Sequence, residues 1–489
     1  MRAVLNNLVS LGGMQFVLAL TAVVRNKALA YRLGAEGFGE FSQLAVLVIF
    51  GSTFVALGLG MSLNRNTAAT PDAGLRQRFL AQANAVNLVG SVLVLSIGLA
   101  IALLRPEFLE AAGLPAVEGI RLSFAIMLAF IPLEVAMQHR IGFLTGMVDV
   151  QGLSASRSMA LLIGTAASLP LIWFFGLVGA AAQFVLLSAL NVLLLDRRCR
   201  FLGIRPWRVV WDRGALKILA GLGVASVAAG MLHQLSDTLN RIFLMRWTDA
   251  TQNGLYQAAV SITYQVKAVV LGSVGSYAVA TLSQDASSTR MSEVANQLLR
   301  LVLPIAAIAL GLLGLFSGLA ILVLYSPDFL GAQQILPMLL AAEFLNVIAW
   351  VCGAPLLAEK RVAAWLFLEV LYATTKLAVS LPLIAGTGAT GLAAGYLIAT
   401  AAHAFWTVLF YRRSVGLTIE RANSLLMLLG VATVVFLGRL GENAVVDWAR
   451  WSIGAATVTV FLLVAVRATM TYAEAAHLAH TMFTKIRKR

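Results

Sequence analysis

The chain is divided into long apolar segments, each about 18–25 residues long, that are separated by short polar stretches. An α-helix of that length crosses the hydrocarbon core of a bilayer, because each residue adds about 1.5 Å along the helix axis. Hydrophobic residues occupy 60% of the 489 positions and charged residues only 12%, about half the charged fraction of a soluble domain. A transmembrane β-barrel would require a sustained alternation of apolar and polar residues, and these segments do not show one. The sequence therefore predicts an all-α, polytopic membrane protein.

We predict about 14 membrane-spanning helices from these segments. They lie near 6–24, 41–63, 80–104, 120–144, 158–175, 177–195, 216–240, 254–282, 298–325, 333–358, 362–385, 389–410, 423–440 and 451–466. The residues between them leave no room for a folded soluble domain. We therefore expect the function to lie within the bilayer.

Positive charge alternates between the two sides of the predicted spans. Arginines crowd the loops after spans two, six and twelve and the C-terminal tail, whereas acidic residues dominate the opposite loops. The positive-inside rule places both termini in the cytoplasm, and the net charge of +14 follows from those loops rather than from a nucleic-acid site. The loop after span one is the exception, because Arg25, Lys27 and Arg32 precede it on the side where cations are not favoured.

One pattern occurs twice, about 215 positions apart. Each copy ends an apolar segment with two spaced cations, makes a polar turn, and places Gly39 or Gly254 two residues before an aromatic side chain. Since both copies start in the cytoplasm, the two six-helix lobes are predicted to be parallel repeats. Spans thirteen and fourteen are two extra C-terminal helices. The sequence thus predicts a two-lobed transporter with a charged path between its lobes.

The same pattern divides the chain into five parts. They are an N-lobe (1–195), a basic cytoplasmic linker (196–213), a C-lobe (214–410), spans thirteen and fourteen (411–466), and a basic cytoplasmic tail (467–489). In the linker, Pro206, Trp207, Val210 and Trp211 fit a short helix at the membrane interface, and a plain basic linker is the alternative. The basic loops and the tail are expected to contact anionic lipid.

Charged residues inside the spans are the candidate functional residues. A charge at a helix centre costs about 2.5–3.5 kcal/mol on insertion scales, so such groups face each other or a water-filled cavity. His233, Asp237 and Arg241 share one helix face at i, i+4 and i+8. Arg25 and Arg32 share another at i and i+7. The structural alternatives are that Asp237 and Arg241 only neutralise each other, and that Arg25 and Arg32 only anchor a helix end.

Other spans add to this set. Two acid–amide pairs, Glu134 with Gln138 and Glu343 with Asn346, have helical spacing, and so does the stripe of Glu369, Tyr372 and Lys376. The predicted cationic cavity consists of Arg25, Arg32, Arg241, Arg246, Lys267 and Lys376. Asp237, Glu343, Glu369 and His233 are candidates for ion coupling or a proton relay. A cavity with more cations than acids favours an anionic passenger, and guanidinium groups bind phosphate bidentately.

Catalytic and cofactor motifs are missing from the sequence. We find no phosphate-binding glycine loop, no HExxH and no nucleophile elbow. The two cysteines, Cys199 and Cys352, give neither a disulfide framework nor the spacing of a metal site. We therefore expect no enzyme activity, no metal and no bound cofactor, while an H⁺ or Na⁺ gradient remains open as the driving force.

These motifs resemble those of a known family. Arg25, the run Leu29-Ala30-Tyr31-Arg32-Leu33-Gly34 and the run Gly37-Phe38-Gly39-Glu40-Phe41, with their counterparts at 240–244 and 253–259, are similar to the polysaccharide (O-antigen type) flippases. These belong to the multidrug/oligosaccharidyl-lipid/polysaccharide flippase (MOP) superfamily. Val24-Arg25 and the run 32–35 also look like the lipid II flippase branch, although Tyr31 stands where that branch tends to have a second arginine.

The resemblance implies a flippase for polyprenyl-diphosphate-linked oligosaccharide in the bacterial inner membrane, working by alternating access in surface polysaccharide biosynthesis. It further implies that the arginines contact diphosphate or acidic sugars, that spans thirteen and fourteen offer a groove for the lipid tail, and that a polymerase or export complex is a partner. The alternatives are a lipid II flippase, a multidrug or cation antiporter of the same superfamily, and a membrane glycan polymerase.

Overall fold

The computed structural model of the chain describes residues 2–220, 224–264, 288–358, 362–414, 416, 418–442 and 447–469. Within these ranges the secondary structure is helical and contains no β-strand. The helices are α1 (Arg2–Ala56), α2 (Leu59–Ala69), α3 (Ala73–Leu104), α4 (Glu107–Ala111), α5 (Glu118–Leu128), α6 (Phe130–Gly146), α7 (Val150–Phe201), α8 (Arg213–Ala220), α9 (Val224–Trp247), α10 (250–264), α11 (Ser288–Leu315), α12 (Ser317–Leu324), α13 (Leu336–Ala358), α14 (Val362–Ser414), α15 (Arg421–Gly441) and α16 (Trp448–Thr469), with a 3-10 segment at Pro327–Gln334.

Three of these helices are long enough to carry two predicted spans each. In α1, α7 and α14 the helix is broken at a single glycine, Gly34, Gly176 or Gly388, whose φ angle is 66°, 54° or 60°. Glycine adopts this left-handed conformation without steric penalty, so the chain turns within one residue and needs no loop. The polar turn predicted after span one is therefore a helix break. Nine segments of the described chain are long and apolar enough to cross a membrane, and the predicted all-α polytopic fold is confirmed.

Helices α7 and α14 repeat one another. Residues 168–172 and 380–384 have the same sequence, Ser-Leu-Pro-Leu-Ile, 212 positions apart. In both helices the glycine break, Gly176 or Gly388, follows four residues after that run. An identical proline followed at the same distance by an identical break is a second internal repeat, one that the sequence analysis did not identify. It extends the duplication to the last helix pair of each half.

Contacts divide the chain into two compact units. Unit one comprises Met1–Gln257, Val323–Phe329 and Leu381–Leu392, and unit two comprises Ala258–Leu322, Leu330–Ser380 and Ala393–Arg489. The division of the sequence into lobes, linker and tail stays a prediction.

Two apolar clusters of unit one lie near the ends of its helices. Leu63, Phe79 and Phe143, from α2, α3 and α6, are almost fully buried in one apolar cluster that α8 completes. A second cluster joins α6 and α7 around Leu144 and Leu195. Both clusters belong to the end that carries the basic linker, so this end of the unit is closely packed.

Within unit one, helix α1 crosses the first residues of α10 at the two repeated glycines. A Cβ placed on Gly39 would lie 1.8 Å from the carbonyl oxygen of Ala250, and one placed on Gly254 would lie 2.0 Å from that of Ala35. Asn253 Nδ2 donates to the Gly39 carbonyl at 2.9 Å. Small residues let helix backbones approach this closely in membranes. The repeated residues of the two copies therefore contact one another.

The linker differs from the interface helix that the sequence analysis predicted. Its first residues continue α7 to Phe201, and the segment from 202 to 212, here called the strap, is not helical. Asn84 Nδ2 donates to the Pro206 carbonyl at 2.7 Å, and the amide of Val210 donates to the Ala81 carbonyl at 3.3 Å. Proline lacks an N–H, and polar groups of α3 satisfy the strap backbone, so the segment gains nothing by coiling.

Unit two contains a similar close crossing. A Cβ on Gly441 of α15 would lie 2.0 Å from the Gly314 carbonyl of α11. At the other end of the same helix pair, Asn423 Nδ2 donates to Asn296 Oδ1 at 2.7 Å. Helix α15, which carries predicted span thirteen, is thus packed closely into unit two. In α16, by contrast, only 17% of the most apolar stretch of residues is buried. That exposure leaves most of α16 facing its surroundings.

Candidate functional site

Arg25 and Arg32 of α1 both hydrogen bond to α7. Arg25 Nη1 donates to Thr165 Oγ1 at 2.7 Å, and Arg32 Nε donates to the Trp173 carbonyl at 2.8 Å. The Trp173 carbonyl can accept this bond because the break at Gly176 interrupts the helix that would otherwise use it. The i and i+7 spacing predicted one shared face, and both side chains indeed reach the same helix. Arg25 is half-buried and Arg32 is exposed.

Arg241 is the most buried of the predicted cations in unit one, with 7% of its surface exposed. Its guanidinium carbon lies 5.4 Å from the centre of the Tyr256 ring, which is a cation–π contact. Within the described part of the chain its Nη1 has no hydrogen-bond partner, and neither has the side-chain amide of the buried Asn240. Asp237, one helical turn earlier, acts on Arg241 electrostatically. A buried guanidinium with an unused donor can accept a further anionic partner.

The remaining predicted residues of α9 are placed differently. Arg246 is exposed at the end of the helix, whereas His233 and Asp237 are half-buried. Arg246 lies five residues after Arg241, so the two side chains point to different sides of α9. Lys267 lies outside the described residues.

Unit two contains a buried polar cluster around Tyr396. The Tyr396 hydroxyl donates to Glu343 Oε1 at 2.9 Å, and Asn346 Nδ2 donates to Glu343 Oε2 at 3.2 Å, as their i, i+3 spacing predicted. Lys376 Nζ lies 4.8 Å from the centre of the Tyr396 ring, and only 5% of Lys376 is exposed. The structure thus brings Lys376 and Glu343 to the same tyrosine, which the sequence analysis did not identify.

The three residues predicted to form a stripe on α14, Glu369, Tyr372 and Lys376, do not all contact the same partners. Tyr372 stacks on the His403 ring, with ring centres 4.8 Å apart, and its hydroxyl lies 3.4 Å from Thr400 Oγ1. Glu369 is half-buried on the same helix. His403 therefore packs on an aromatic ring, and Tyr372 is engaged by α14 itself.

Two charged groups of unit one were missed. Arg140 of α6 is fully buried, and its Nε donates to Asp196 Oδ1 at 2.9 Å. Arg157 of α7 acts electrostatically on Glu134, which accepts a hydrogen bond from Gln138 at 3.1 Å. Arg140 could have been identified from the sequence, because it is a charged residue inside the fourth predicted span. Its partner is 56 positions away, so spacing could not reveal the pair.

No cluster of three or more His, Cys, Asp or Glu side chains that could hold a metal ion occurs among the described residues. The candidate site therefore consists of cations, aromatic rings and a few acids. In unit one Arg25 and Arg32 bond to neutral partners on α7 and Arg241 lies against Tyr256, and in unit two a lysine and an acid contact one tyrosine. Such an arrangement presents positive charge inside the membrane-spanning segments.

Comparison with solved structures identifies the fold. A structure named "Lipid II flippase MurJ, inward closed conformation" has a TM-score of 0.74 and 12% identity, and covers 95% of this chain and 99% of its own. An inward-facing multidrug resistance MATE family transporter of the MOP superfamily has a TM-score of 0.65 and 16% identity, covering 81% and 94%. An outward-facing structure with the same description has a TM-score of 0.60 and 17% identity, covering 82% and 93%. All three are named as a flippase or transporters, and none as an enzyme.

Sequence comparison identifies the family. No curated protein matches the chain significantly. The profile of the family described as "Polysaccharide biosynthesis protein" matches residues 4–284, which is more than half of the chain and includes both copies of the repeated pattern. With the fold of MOP-superfamily transporters and this match, the chain belongs to the polysaccharide biosynthesis protein family.

Proposed function

We propose that the chain is a flippase that moves polyprenyl-diphosphate-linked oligosaccharide across the bacterial inner membrane by alternating access, in the biosynthesis of a surface polysaccharide. Family membership supports the role in polysaccharide biosynthesis, and the fold supports transport. The diphosphate substrate class is our inference from the charges of unit one.

The observation that carries the proposal is how the intramembrane arginines are bonded. Arg25 donates to a hydroxyl and Arg32 to a carbonyl, both of which are neutral. Among the described residues no carboxylate forms an ion pair with either of them. By contrast, Arg140 and Arg198 of the same unit are paired with aspartates at 2.9 and 2.7 Å. The chain thus neutralises arginines elsewhere but leaves the charge of these two for an anion.

Ion coupling is the second part of the proposal. We assign it to Glu343, because this acid is buried and is held by Tyr396 and Asn346 next to Lys376. Asp237, Glu369 and His233 are half-buried and are the other candidates. Either H⁺ or Na⁺ would act through such a group, since each can neutralise the negative charge of a buried carboxylate.

The experiment is complementation of glycan export in a strain that lacks the gene. Arg25→Ala and Arg241→Ala are expected to abolish export at normal protein abundance, and Arg25→Lys to retain part of it, because lysine keeps the charge but not the bidentate geometry. Arg105→Ala is the matched control, since its exposed guanidinium follows α3 and pairs with the exposed Glu107 at the start of α4. Normal export by both alanine variants would contradict the assignment.

The same strains separate the alternatives. A lipid II flippase would restore cell-wall synthesis in a strain that lacks its own lipid II flippase, and a multidrug antiporter would raise drug resistance without restoring glycan. The antiporter is disfavoured because the predicted site has more cations than acids, whereas a cationic passenger requires the reverse. Formation of new glycosidic bonds by the purified protein would instead indicate a glycan polymerase.

A further inference from the structure

The strap forms a built surface at the basic end of unit one. The carbonyls of Arg205, Pro206 and Arg208 accept hydrogen bonds from Gln77 at 2.9 Å and from Asn84 at 2.7 and 3.0 Å. These bonds hold the strap backbone against α3, and the side chains of Arg205 and Arg208 are exposed. The two guanidinium groups therefore extend from a backbone that is fixed in place.

A buried arginine fixes the centre of the strap. Arg140 Nη2 donates to the Pro206 carbonyl at 2.9 Å, and its guanidinium carbon lies 4.6 Å from the centre of the Trp207 ring. The other side of that indole is open, since 55% of Trp207 is exposed. Arg140 thus holds the indole in one position, and its own charge is neutralised by Asp196.

A hollow of about 570 Å³ lies over this surface. It is lined by the strap and by Arg200, which extends from the last turn of α7. Within the described part of the chain, Arg200, Arg205 and Arg208 have no carboxylate partner, although Arg198 in the same turn is paired with Asp149. Three uncompensated guanidinium groups therefore surround one hollow, and their shared ligand chemistry is a phosphate.

The surroundings of the hollow indicate a lipid rather than a soluble anion. Phe201, directly before the strap, and Val209 and Trp211 within it have large exposed apolar surfaces. Exposed aromatic side chains next to arginines are typical of the membrane interface, where indole rings lie at the level of the headgroups. A soluble phosphate would gain nothing from such a rim, whereas the acyl chains of a lipid would cover it.

We propose that Arg200, Arg205 and Arg208, around Trp207, bind the phosphate of an anionic phospholipid headgroup in the cytoplasmic leaflet. The site goes beyond the proposed transport function, because this lipid is a resident ligand and not the passenger. Its guanidinium groups bind the phosphate, and the indole packs against the glycerol part of the headgroup.

The test uses the purified full-length protein in neutral detergent, titrated with phosphatidylglycerol while bound lipid is counted by native mass spectrometry. Replacing the three arginines with glutamine is expected to weaken binding of the tightest lipid about fivefold for each charge removed. The matched control is the triple variant Arg65→Gln, Arg412→Gln, Arg413→Gln, which removes three exposed arginines from α2 and α14. The control is expected to retain the wild-type affinity.

An equal loss in both triple variants would overturn the proposal, because the lipid would then respond only to general surface charge. No loss in either variant would overturn it as well. Size-exclusion profiles and thermal unfolding identify any variant that fails to fold, and Trp207→Ala then provides an independent measurement. Trp207→Ala is expected to weaken phosphatidylglycerol binding while all three arginines remain in place.

A competition experiment distinguishes the source of the phosphate. Inorganic phosphate and glycerol phosphate, added at millimolar concentration, are expected to leave the bound phosphatidylglycerol in place, because neither covers the apolar rim. Full displacement by either soluble anion would show a site for a free phosphate and would refute the lipid assignment. Phosphatidylcholine is expected to bind less tightly than phosphatidylglycerol, and equal affinity would refute the role of charge.

Discussion

Gly39→Ala is expected to open the crossing of α1 and α10. The added Cβ would lie 1.8 Å from the Ala250 carbonyl oxygen, whereas ordinary van der Waals contact of a Cβ begins at 3.4 Å. The helices must therefore separate by roughly 1.5 Å, since backbone atoms on both sides leave no flexible side chain to yield. Such a shift also breaks the 2.9 Å bond from Asn253 to the Gly39 carbonyl.

The magnitude follows from these two losses. Overpacking costs about 1–3 kcal/mol and a lost hydrogen bond about 1 kcal/mol, so Gly39→Ala is expected to destabilise unit one by about 2–4 kcal/mol. Gly13→Ala on the same helix is the matched control. Nothing lies within 4 Å of a Cβ at Gly13, and alanine is favoured over glycine in a helix by about 1 kcal/mol. The two substitutions are therefore expected to have opposite signs.

The assay is thermal unfolding of the purified protein in detergent, with the fraction of monodisperse protein measured by size exclusion. Gly39→Ala should lower the apparent midpoint and Gly13→Ala should leave it unchanged or raise it. Gly254→Ala faces the same crossing from the other side, so the double variant with Gly39→Ala should cost less than the sum of the single variants. Additive effects, or a Gly39→Ala midpoint equal to that of the wild type, would refute the contact.

Three other substitutions test other parts of the structure. Arg140→Met leaves a buried aspartate unpaired and should cost about 3–5 kcal/mol, so membrane abundance should fall steeply; undiminished abundance would contradict the buried pair. Tyr396→Phe removes the donor to Glu343 and should lower the unfolding midpoint by a loss of about 1–3 kcal/mol, and an unchanged midpoint would contradict that bond. Thr165→Asp should pair with Arg25 and abolish glycan export at normal abundance, whereas normal export would contradict the need for an unneutralised cation.

The helical fold could be predicted because it depends on properties that are local in the sequence. Apolar runs of the length of a bilayer leave the backbone no other partner than its own helix. Helix breaks were harder to place. The turn after span one was predicted as a polar loop, yet Gly34 makes it within one residue at a φ angle of 66°. Composition shows where a chain can turn, but a single glycine decides whether the turn needs a loop.

The partners of the candidate residues were beyond the sequence. The spacing of Arg25 and Arg32 predicted a common face, but not that α7 supplies both acceptors, because Thr165 and Trp173 are about 140 positions away. The linker was predicted as a helix because its aromatic spacing is local. The hydrogen bonds to its backbone come from α3 and from Arg140 of α6, 66 or more positions earlier. The five identical residues of α7 and α14 are visible in the sequence. They are 212 positions apart, however, and the first repeat has a spacing of about 215, so one fixed spacing does not align both repeats.

The contact between Gly39 and Gly254 explains why the two copies of the repeated pattern are identical at these positions. Gly39 of one copy approaches the Ala250 carbonyl and the amide of Gly254, and Gly254 approaches the Ala35 carbonyl and the amide of Gly39, so residues that are identical in the two copies meet at the crossing. In such an arrangement a larger side chain in either copy would strike the backbone of the other, and both copies must stay small. The surrounding positions face different neighbours and are free to differ. The arginines of the two copies also have different neighbours. Arg25 and Arg241 lie on helices that lead into this crossing, but Arg25 bonds to Thr165 and Arg241 lies against Tyr256. Duplication thus preserves the helix contact, while each copy positions its cation separately.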